Sequence, residues 1–223
     1  MDNKIIIAID AMGGENAPYK NIEGVSLYCK KNKQRDDFHF NLYGDKILIK
    51  KELDKRNVST EIYSIFQSST VVSDEETPLA AIKNSKDSSM WNSINSQIVA
   101  NSNITLSAGN TGVLFVVSRM LLKTIDSVSK PALAGLWPNE KNMNVVLDLG
   151  ANVECDDKNL IDFSEMGAAL YKALFPEETP KVALLNIGSE EIKGTETLKK
   201  TYAKLKEICK YGDFEFNGFI EGN

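Results

Sequence analysis

The amino-acid sequence predicts a three-layer α/β/α sandwich built on a mostly parallel sheet. Short apolar runs alternate with amphipathic helical patterns along the whole chain, and small-residue turns follow several of these runs. No fixed-period repeat or low-complexity linker interrupts the alternation. Alternation of this kind is typical of βαβ units, whose crossover helices cover both faces of a parallel sheet. We therefore expect residues 1–223 to form a single α/β domain.

The predicted strands are short apolar or alternating runs bounded by turn residues. The first contains five consecutive apolar residues, Ile5–Ile9, as expected of a strand buried on both faces. The second, Phe38–Tyr43, alternates apolar and polar residues and ends at a glycine. The complete set of predicted strands covers residues 4–10, 38–43, 61–66, 103–108, 132–137, 144–149, 181–187 and 214–220.

The predicted helices carry apolar residues at a spacing of three or four. Pro18 and Pro78 suit the first turn of a helix, and Pro176 ends the helix that precedes it. Besides the helices that begin near Pro18 and at Pro78, the predicted helices cover residues 46–56, 88–101, 111–125, 159–175 and 195–211.

Composition excludes several classes of protein. Hydrophobic residues make up 42% and charged residues 26% of the 223 positions, as in ordinary globular domains. The net charge of −5 gives no general attraction to nucleic acid, and no apolar stretch is long enough to span a bilayer. Cys29, Cys155 and Cys209 form no CxxC pair, which favours reduced thiols over a metal site. We therefore expect a cytoplasmic protein that uses no metal or cofactor and binds no nucleic acid.

Four small-residue turns carry most of the functional information. They are Asp10–Gly14, Ser107–Gly112, Asp148–Asn152 and Asn186–Glu190, and each follows a short apolar run. A strand followed by a glycine turn and a helix points backbone N–H groups outward, and the helix N-terminus adds partial positive charge. Because parallel strands end at the same edge of a sheet, we expect the four turns to line one crevice. Such a crevice suits an anion, phosphate above all.

The turns occur in the same order in a known family. From Ile5 to Asn223 the chain resembles the bacterial phosphate acyltransferases of phospholipid synthesis (PlsX type). The segments that carry the resemblance are Ile9–Gly14, Lys86–Met90, Ser107–Gly112, Pro131–Ala134, Leu147–Asn152, Met166–Gly167, Leu185–Gly188 and Gly194.

The resemblance implies a fold, an activity and partners. The implied fold is Rossmann-like, of the isocitrate/isopropylmalate dehydrogenase type, with this chain forming the N-terminal two-thirds of the family's domain. The implied activity converts acyl-(acyl carrier protein) and inorganic phosphate to acyl phosphate for glycerophospholipid synthesis. The resemblance also implies a homodimer in the cytoplasm, with peripheral association at the inner face of the membrane.

This reaction needs positioning more than strong acid or base catalysis. Phosphate is largely a dianion near pH 7, since its second pKa is roughly 6 to 7. The leaving thiolate is a modest base, with a thiol pKa of about 8.5. Backbone N–H groups and one or two lysines that stabilise an oxyanion would therefore suffice.

The turn Ser107–Gly112, which leads into a predicted helix, is the first choice for a phosphate cradle. Gly109 and Gly112 allow close backbone approach, Asn110 and Thr111 add donors, and Ser107 precedes them at the strand end. The structural alternative is an ordinary strand–helix turn in which Thr111 only caps the helix.

Two other segments provide candidates around the same ligand. Gly13 and Gly14 bring backbone close to it, and Asp10 is a catalytic candidate that orients a cationic or amide group, unless it is only a turn former. Lys86 is a catalytic candidate for contact with phosphate or an oxyanion, and Ser88 for substrate binding. The alternatives are a solvated lysine and a helix-capping serine.

The last two turns provide further candidates. Asp148 and Lys193 are predicted to be catalytic, and Asn152 and Asn186 to bind substrate. The alternative for Asp148 and Asn152 is a turn held by Asx hydrogen bonds.

Other functions remain open from sequence. A phosphotransacetylase-like enzyme would use acyl-CoA as the donor, and a non-catalytic module would bind phosphate or a carrier protein without turnover. A dinucleotide-dependent dehydrogenase is disfavoured because no GxGxxG follows the first strand.

Overall fold

The computed structural model describes residues 4–73, 75, 77, 80, 83–140 and 142–222. The chain divides into two compact units, one ending at Lys123 and the other beginning at Thr124. Formation of one domain by residues 1–223 stays a prediction. Pro78, where a helix was expected to begin, lies outside the described residues.

The first unit is built on a four-stranded sheet in which every described pairing is parallel. Its strand order is β3-β2-β1-β4. Ile9 in β1 lies opposite Leu42 in β2 and Leu106 in β4, so β1 and β4 end at the same edge of the sheet. The four strands are β1 (Ile5–Asp10), β2 (Phe38–Gly44), β3 (Tyr63–Gln67) and β4 (Ile104–Leu106).

Helices cover both faces of this sheet. Alternate residues of β2 show the two layers, because Phe38, Phe40 and Leu42 pack against α1 and α2. On the opposite face the Asn41 amide donates to the Asn101 carbonyl just beyond α3 (2.9 Å). The helices of this unit are α1 (Tyr19–Lys31), α2 (Lys46–Lys55), α3 (Ser89–Ile98) and α4 (Thr111–Leu122), with a 3-10 turn at Thr60–Ile62.

The described residues of the first unit form two apolar clusters. The cluster beneath α1 and α2 contains Ile22, Leu42 and Leu53, none of which is exposed. The other joins α3 to α4 through Met90 and Val113. Burial of large side chains at the helical spacing predicted from sequence is the main force that holds these helices in place.

The second unit combines two strand pairs with two helices. β5 (Ala134–Pro138) and β6 (Met143–Leu147) form an antiparallel hairpin, whereas β7 (Lys181–Leu185) and β8 (Glu215–Ile220) are parallel. The core of this unit contains Leu184, Leu205 and Phe219, which are buried among its helices and strands. The helices are α5 (Asp157–Leu174) and α6 (Glu196–Ile208).

The structure confirms an α/β fold with mostly parallel strands, and the described elements match the predictions in type and order. The differences lie at the boundaries. Residues 61 and 62 are part of a 3-10 turn, so β3 begins two residues later than predicted. The helix predicted over 88–101 ends at Ile98 and the one predicted over 111–125 ends at Leu122. Residues with positive φ follow both ends, Ala100 at 55° and Lys123 at 61°, and helical backbone does not continue through that conformation.

Candidate functional site

Three loops of the first unit meet where β1 and β4 end. The Ser107 hydroxyl donates a 2.7 Å hydrogen bond to Oδ2 of Asp10, which joins the turn after β1 to the loop after β4. A Cβ on Gly109 would lie 3.0 Å from Cε of Met90, so the start of α3 also borders the loop after β4. The parallel register of β1 and β4 therefore brings three of the predicted segments together.

The two glycine turns are in backbone contact. A Cβ on Gly13 would lie 3.0 Å from the amide nitrogen of Gly109. Gly14 has a φ of +84°, and a Cβ there would lie 2.6 Å from the Ala108 carbonyl oxygen. Only glycine fits such an approach without displacing the neighbouring backbone.

Asp10 lies beneath these turns and is 2% exposed. Its carboxylate accepts the Ser107 hydroxyl and, at 3.3 Å, the amide of Met12. Burial raises the pKa of Asp10, and this is the largest influence on it. The hydroxyls of Ser89 and Ser107 oppose that rise, although Ser89 Oγ has no well-aligned hydrogen-bond partner among the described residues.

Asn21 is a member of this site that sequence reasoning missed. From α1 its amide Nδ2 donates to the carbonyls of Ala11 and Gly13, each at 2.9 Å. The turn after β1 is therefore held on its carbonyl side by Asn21. An asparagine near a helix start carries no distinctive sequence signal, because the same residue type is common at solvated helix positions.

The loop after β4 leads directly into α4. Ser107 Oγ accepts the Gly109 amide at 3.1 Å, and Asn110 Oδ1 caps the helix by accepting the Val113 amide at 3.1 Å. Thr111 and Gly112 are the first two helical residues and both are exposed. The first amides of a helix have no acceptor within it, so this end offers donors and partial positive charge to an anion.

Lys86 and Ser88 differ in their surroundings. Lys86 is exposed and forms no ion pair with any residue that the structure describes. Ser88 is 1% exposed, and its hydroxyl caps α3 by accepting the Trp91 amide at 3.1 Å. The capping interaction that sequence offered as the alternative for Ser88 is therefore present.

The loop that carries Lys86 is anchored to its surroundings. Asp87 has a φ of +66°, and its carbonyl accepts the Ser69 amide at 3.2 Å and the Asn92 side chain at 3.3 Å. These bonds hold the backbone of the loop in place while the Lys86 side chain reaches solvent. A lysine on a fixed loop, without a carboxylate partner in the described part of the chain, is able to contact an anionic substrate.

In the second unit, Asp148 organises its own loop. Its Oδ1 accepts the backbone amide of Asn152 at 3.1 Å and the Asn152 side chain at 2.9 Å, and Asn152 also donates to the Pro131 carbonyl at 3.0 Å. The Cys155 thiol donates to Oδ2 of Asp148 at 3.3 Å. Burial, and secondly the Asp148 carboxylate, raise the pKa of Cys155. The Asx-type turn considered at the sequence level is present here.

Asn186 and Lys193 belong to a second loop of this unit. The Asn186 side chain donates to the carbonyls of Gly188 at 3.1 Å and Lys193 at 3.2 Å. The Lys193 ammonium pairs with Glu190 at 2.9 Å, and this contact raises the pKa of Lys193. Both partners of the ion pair are largely exposed, so it is a surface interaction.

The structure thus brings Asp10, Gly13, Gly14, Ser107 and Gly109 together within the first unit. Asp148 and Asn152 form one local cluster in the second unit, and Asn186 and Lys193 form another. A crevice shared by all four turns stays a prediction. Within the described residues there is no group of three or more His, Cys, Asp or Glu side chains that could hold a metal ion, and no helix long and apolar enough to cross a membrane.

The fold is of a class shared with solved phosphotransacetylases. A phosphotransacetylase from Streptococcus pyogenes superposes with a TM-score of 0.69 at 11% identity, covering 98% of this chain and 68% of that one. The EutD phosphotransacetylase from Staphylococcus aureus gives a TM-score of 0.64 at 12% identity, covering 97% and 68% of the two chains. At such low identity the likeness establishes the fold alone.

Sequence comparison identifies the family. The family model described as fatty acid synthesis protein matches residues 5–223, and the chain belongs to that family. A phosphate acyltransferase of Pelagibacter ubique is 49% identical over 223 residues, which are 100% of this chain and 65% of that protein. A phosphate acyltransferase of Anaplasma phagocytophilum is 39% identical over 222 residues, 99% of this chain and 64% of that protein. The chain thus spans slightly less than two thirds of the length of these relatives.

Proposed function

We propose that the chain is the larger part of a phosphate acyltransferase that makes acyl phosphate from acyl-(acyl carrier protein) and inorganic phosphate. Kinship with phosphate acyltransferases along the whole chain is the observation that carries this proposal. The exposed start of α4, beside the joined glycine turns, gives the proposal a site.

The reaction is an acyl transfer from sulfur to oxygen. A phosphate oxygen attacks the thioester carbonyl, a C–O bond forms, and the C–S bond breaks as the tetrahedral intermediate collapses. The carrier leaves as a thiolate and takes a proton from solvent. Because phosphate is already largely a dianion near pH 7, the protein has to hold it in position and stabilise the oxyanion.

We assign phosphate binding to the start of α4. The backbone amides of Thr111 and Gly112 face the anion, and Ser107, Gly109 and Asn110 shape the loop that presents them. This assignment agrees with the exposure of the first two helical residues and with the anion affinity of helix N-termini.

Lys86 is assigned to the charged oxygens of the reaction. Its ammonium is exposed and has no carboxylate partner among the described residues, so it is available to phosphate or to the oxyanion. Asp148, Asn152, Asn186 and Lys193 stay candidates for substrate contact from the second unit. Assembly as a cytoplasmic homodimer, with peripheral attachment to the membrane, is proposed from the family resemblance.

An acyl-CoA donor is the second candidate, because the fold is that of phosphotransacetylases. The test offers both donors, a long-chain acyl carrier protein and the matching acyl-CoA, with phosphate, and traps acyl phosphate with hydroxylamine. Turnover of the carrier thioester supports the proposal. Turnover of the CoA thioester alone supports the second candidate, and phosphate or carrier binding without product supports a non-catalytic module.

Variants test the residue assignments in the same assay. Lys86→Ala is expected to lower kcat/KM by about 100-fold, the typical loss when one transition-state donor is removed. Asn110→Ala is expected to lower it as well, because the cap that shapes the phosphate-binding loop is lost. Lys83→Ala is the matched control, because Lys83 is also exposed and lies three residues earlier. Full activity in both site variants, with an active parent, would show that the assignments are wrong.

A further inference from the structure

We propose that Asp10 is a positioning residue that fixes the loop after β4 through the Ser107 hydroxyl, without touching substrate. This inference rests on the proposed function, and it replaces the sequence expectation that Asp10 is catalytic. In this role the Asp10 carboxylate determines the position of the backbone that binds phosphate.

The Ser107 hydroxyl has a single proton to donate. A serine hydroxyl donates one hydrogen bond and accepts up to two. Its oxygen lies 2.7 Å from Oδ2 of Asp10, and the amide of Gly109 donates to the same oxygen at 3.1 Å. The carboxylate can only accept, so it receives the proton, and the lone pairs of the hydroxyl are left for Gly109. Asp10 thereby orients the group that holds the loop.

The Asp10 side chain is almost completely buried, and both of its carboxylate oxygens have protein partners. The residue is 2% exposed, and a Cβ on Gly13 would lie 2.4 Å from its Oδ2. Gly13 therefore covers this oxygen, while Oδ1 receives the Met12 amide. A direct contact with phosphate would also bring two anions together, which is unfavourable at a buried site.

The turn that covers Asp10 is braced from the other side. Asn21 holds the carbonyls of Ala11 and Gly13 at 2.9 Å each, so the turn is fixed by α1 as well as by the carboxylate. Gly13 in turn contacts the Gly109 backbone. The turn after β1, which contacts the loop after β4, is thus held by hydrogen bonds to Asn21 on one side and to the Asp10 carboxylate on the other.

A double-mutant cycle tests the proposal. Asp10→Ala and Ser107→Ala are each expected to raise the KM for phosphate roughly tenfold with a smaller effect on kcat, because each breaks the same chain of hydrogen bonds. The double variant is expected to be no worse than the poorer single variant, since the two residues act through one another. If the loss in the double variant equals the product of the two single losses, the proposal is overturned, because Asp10 then acts independently of Ser107.

Amide hydrogen exchange of Gly109 gives a second readout that needs no activity. Exchange is expected to be faster in Asp10→Ala and Ser107→Ala by similar factors, and restored in Ser107→Thr, which keeps the hydroxyl. Asp45→Ala is the matched control: Asp45 caps α2 by accepting the amides of Ile47 and Leu48, so its removal lowers stability without touching the loop that contains Gly109. Unchanged exchange in Asp10→Ala would refute the proposal.

The two readouts separate the two claims. If the parent protein makes no acyl phosphate, the proposed function fails, while Gly109 exchange still decides whether Asp10 positions the loop. If Asp10→Ala does not fold, the comparison of Ser107→Ala with Ser107→Thr decides: equal exchange in these two variants would refute the role of the hydroxyl.

Discussion

Gly14 determines, as a single residue, how closely two loops approach. Its φ of +84° and the 2.6 Å separation between a hypothetical Cβ and the Ala108 carbonyl both exclude a side chain. Gly14→Ala is therefore expected to lower the free energy of unfolding by about 1 to 3 kcal/mol. Urea unfolding at constant pH measures this loss.

Gly24 is the matched control for that experiment. It lies within α1, and no atom lies within 4 Å of a Cβ built there. Gly24→Ala is expected to raise the free energy of unfolding by up to about 1 kcal/mol, since alanine favours the helix. Equal stability of Gly14→Ala and the parent would contradict the close approach of the two loops.

His39 is the one histidine of the chain, so its titration can be observed without overlap. Burial lowers the pKa of His39 below its ordinary value of 6.5, and its ring contacts the Ser64 hydroxyl at 3.0 Å. As the pH falls below about 6.5, the unfolded chain takes up the proton first. This contribution to stability is therefore present at neutral pH and is lost as the pH falls from about 6.5 through the lower pKa of the folded state.

Proton NMR of the His39 ring is expected to give a folded-state pKa below 6.5. The fall in unfolding free energy between pH 7.5 and 5.5 is expected to be smaller in His39→Gln than in the parent. A folded-state pKa at or above 6.5 would contradict the burial of this ring.

Single-residue features of the site differ in how far sequence predicts them. The turn glycines and the cap Ser88 were predictable, because each follows from a local backbone requirement. The cap of α4 is Asn110 and not Thr111, the residue that the sequence offered for it. The link between Asp10 and Ser107 joins residues 97 positions apart and depends on strand pairing. Asn21 was not predictable, because only the folded position of α1 aims its amide at the turn.

At the scale of elements, capping residues determine where helices begin. Oδ1 of Asp156 accepts the backbone amide of Asn159 at 2.8 Å, and Oδ1 of Asn159 accepts the backbone amide of Asp156 at 3.1 Å. The two bonds form a capping box at the start of α5. Asp156→Ala is expected to lower the free energy of unfolding by about 1 kcal/mol. Asn159→Ala is expected to lower it more, because Asn159 is 2% exposed and also donates to Ser129 at 2.8 Å.

Urea unfolding followed by circular dichroism measures both variants. Thr195→Ala provides the comparison, since Thr195 caps α6 with one bond to the Leu198 amide at 3.3 Å. A smaller loss in Asn159→Ala than in Asp156→Ala would contradict the contribution of the buried amide.

Element types were predictable from hydrophobic periodicity, whereas some boundaries and pairings were not. β4 is three residues long although six were predicted, because a strand ends where its partner stops pairing. The antiparallel pairing of β5 with β6 was also not specified by their sequences, since periodicity gives no strand direction. The sequence feature that agrees with a hairpin is the short polar turn between the two strands.

For the whole molecule, the acidic net charge of −5 means that any affinity for phosphate has to come from a local arrangement of donors. The first unit contains such an arrangement at the start of α4, next to the joined turns. The order of the glycine turns along the chain was sufficient to predict the family. Which side chains face the anion was not, because that depends on distances between segments remote in sequence.

A phosphate titration followed by backbone amide NMR tests the central claim most directly, because it locates the anion whether or not the chain turns over substrate. We predict that the amides of Gly109, Thr111 and Gly112 shift together with a single affinity. That affinity should weaken roughly tenfold in Lys86→Ala, a loss expected for a charge-assisted contact, and stay unchanged in Lys83→Ala. Shifts confined to other segments, or no shifts at all, would contradict the assignment of the phosphate site to the start of α4.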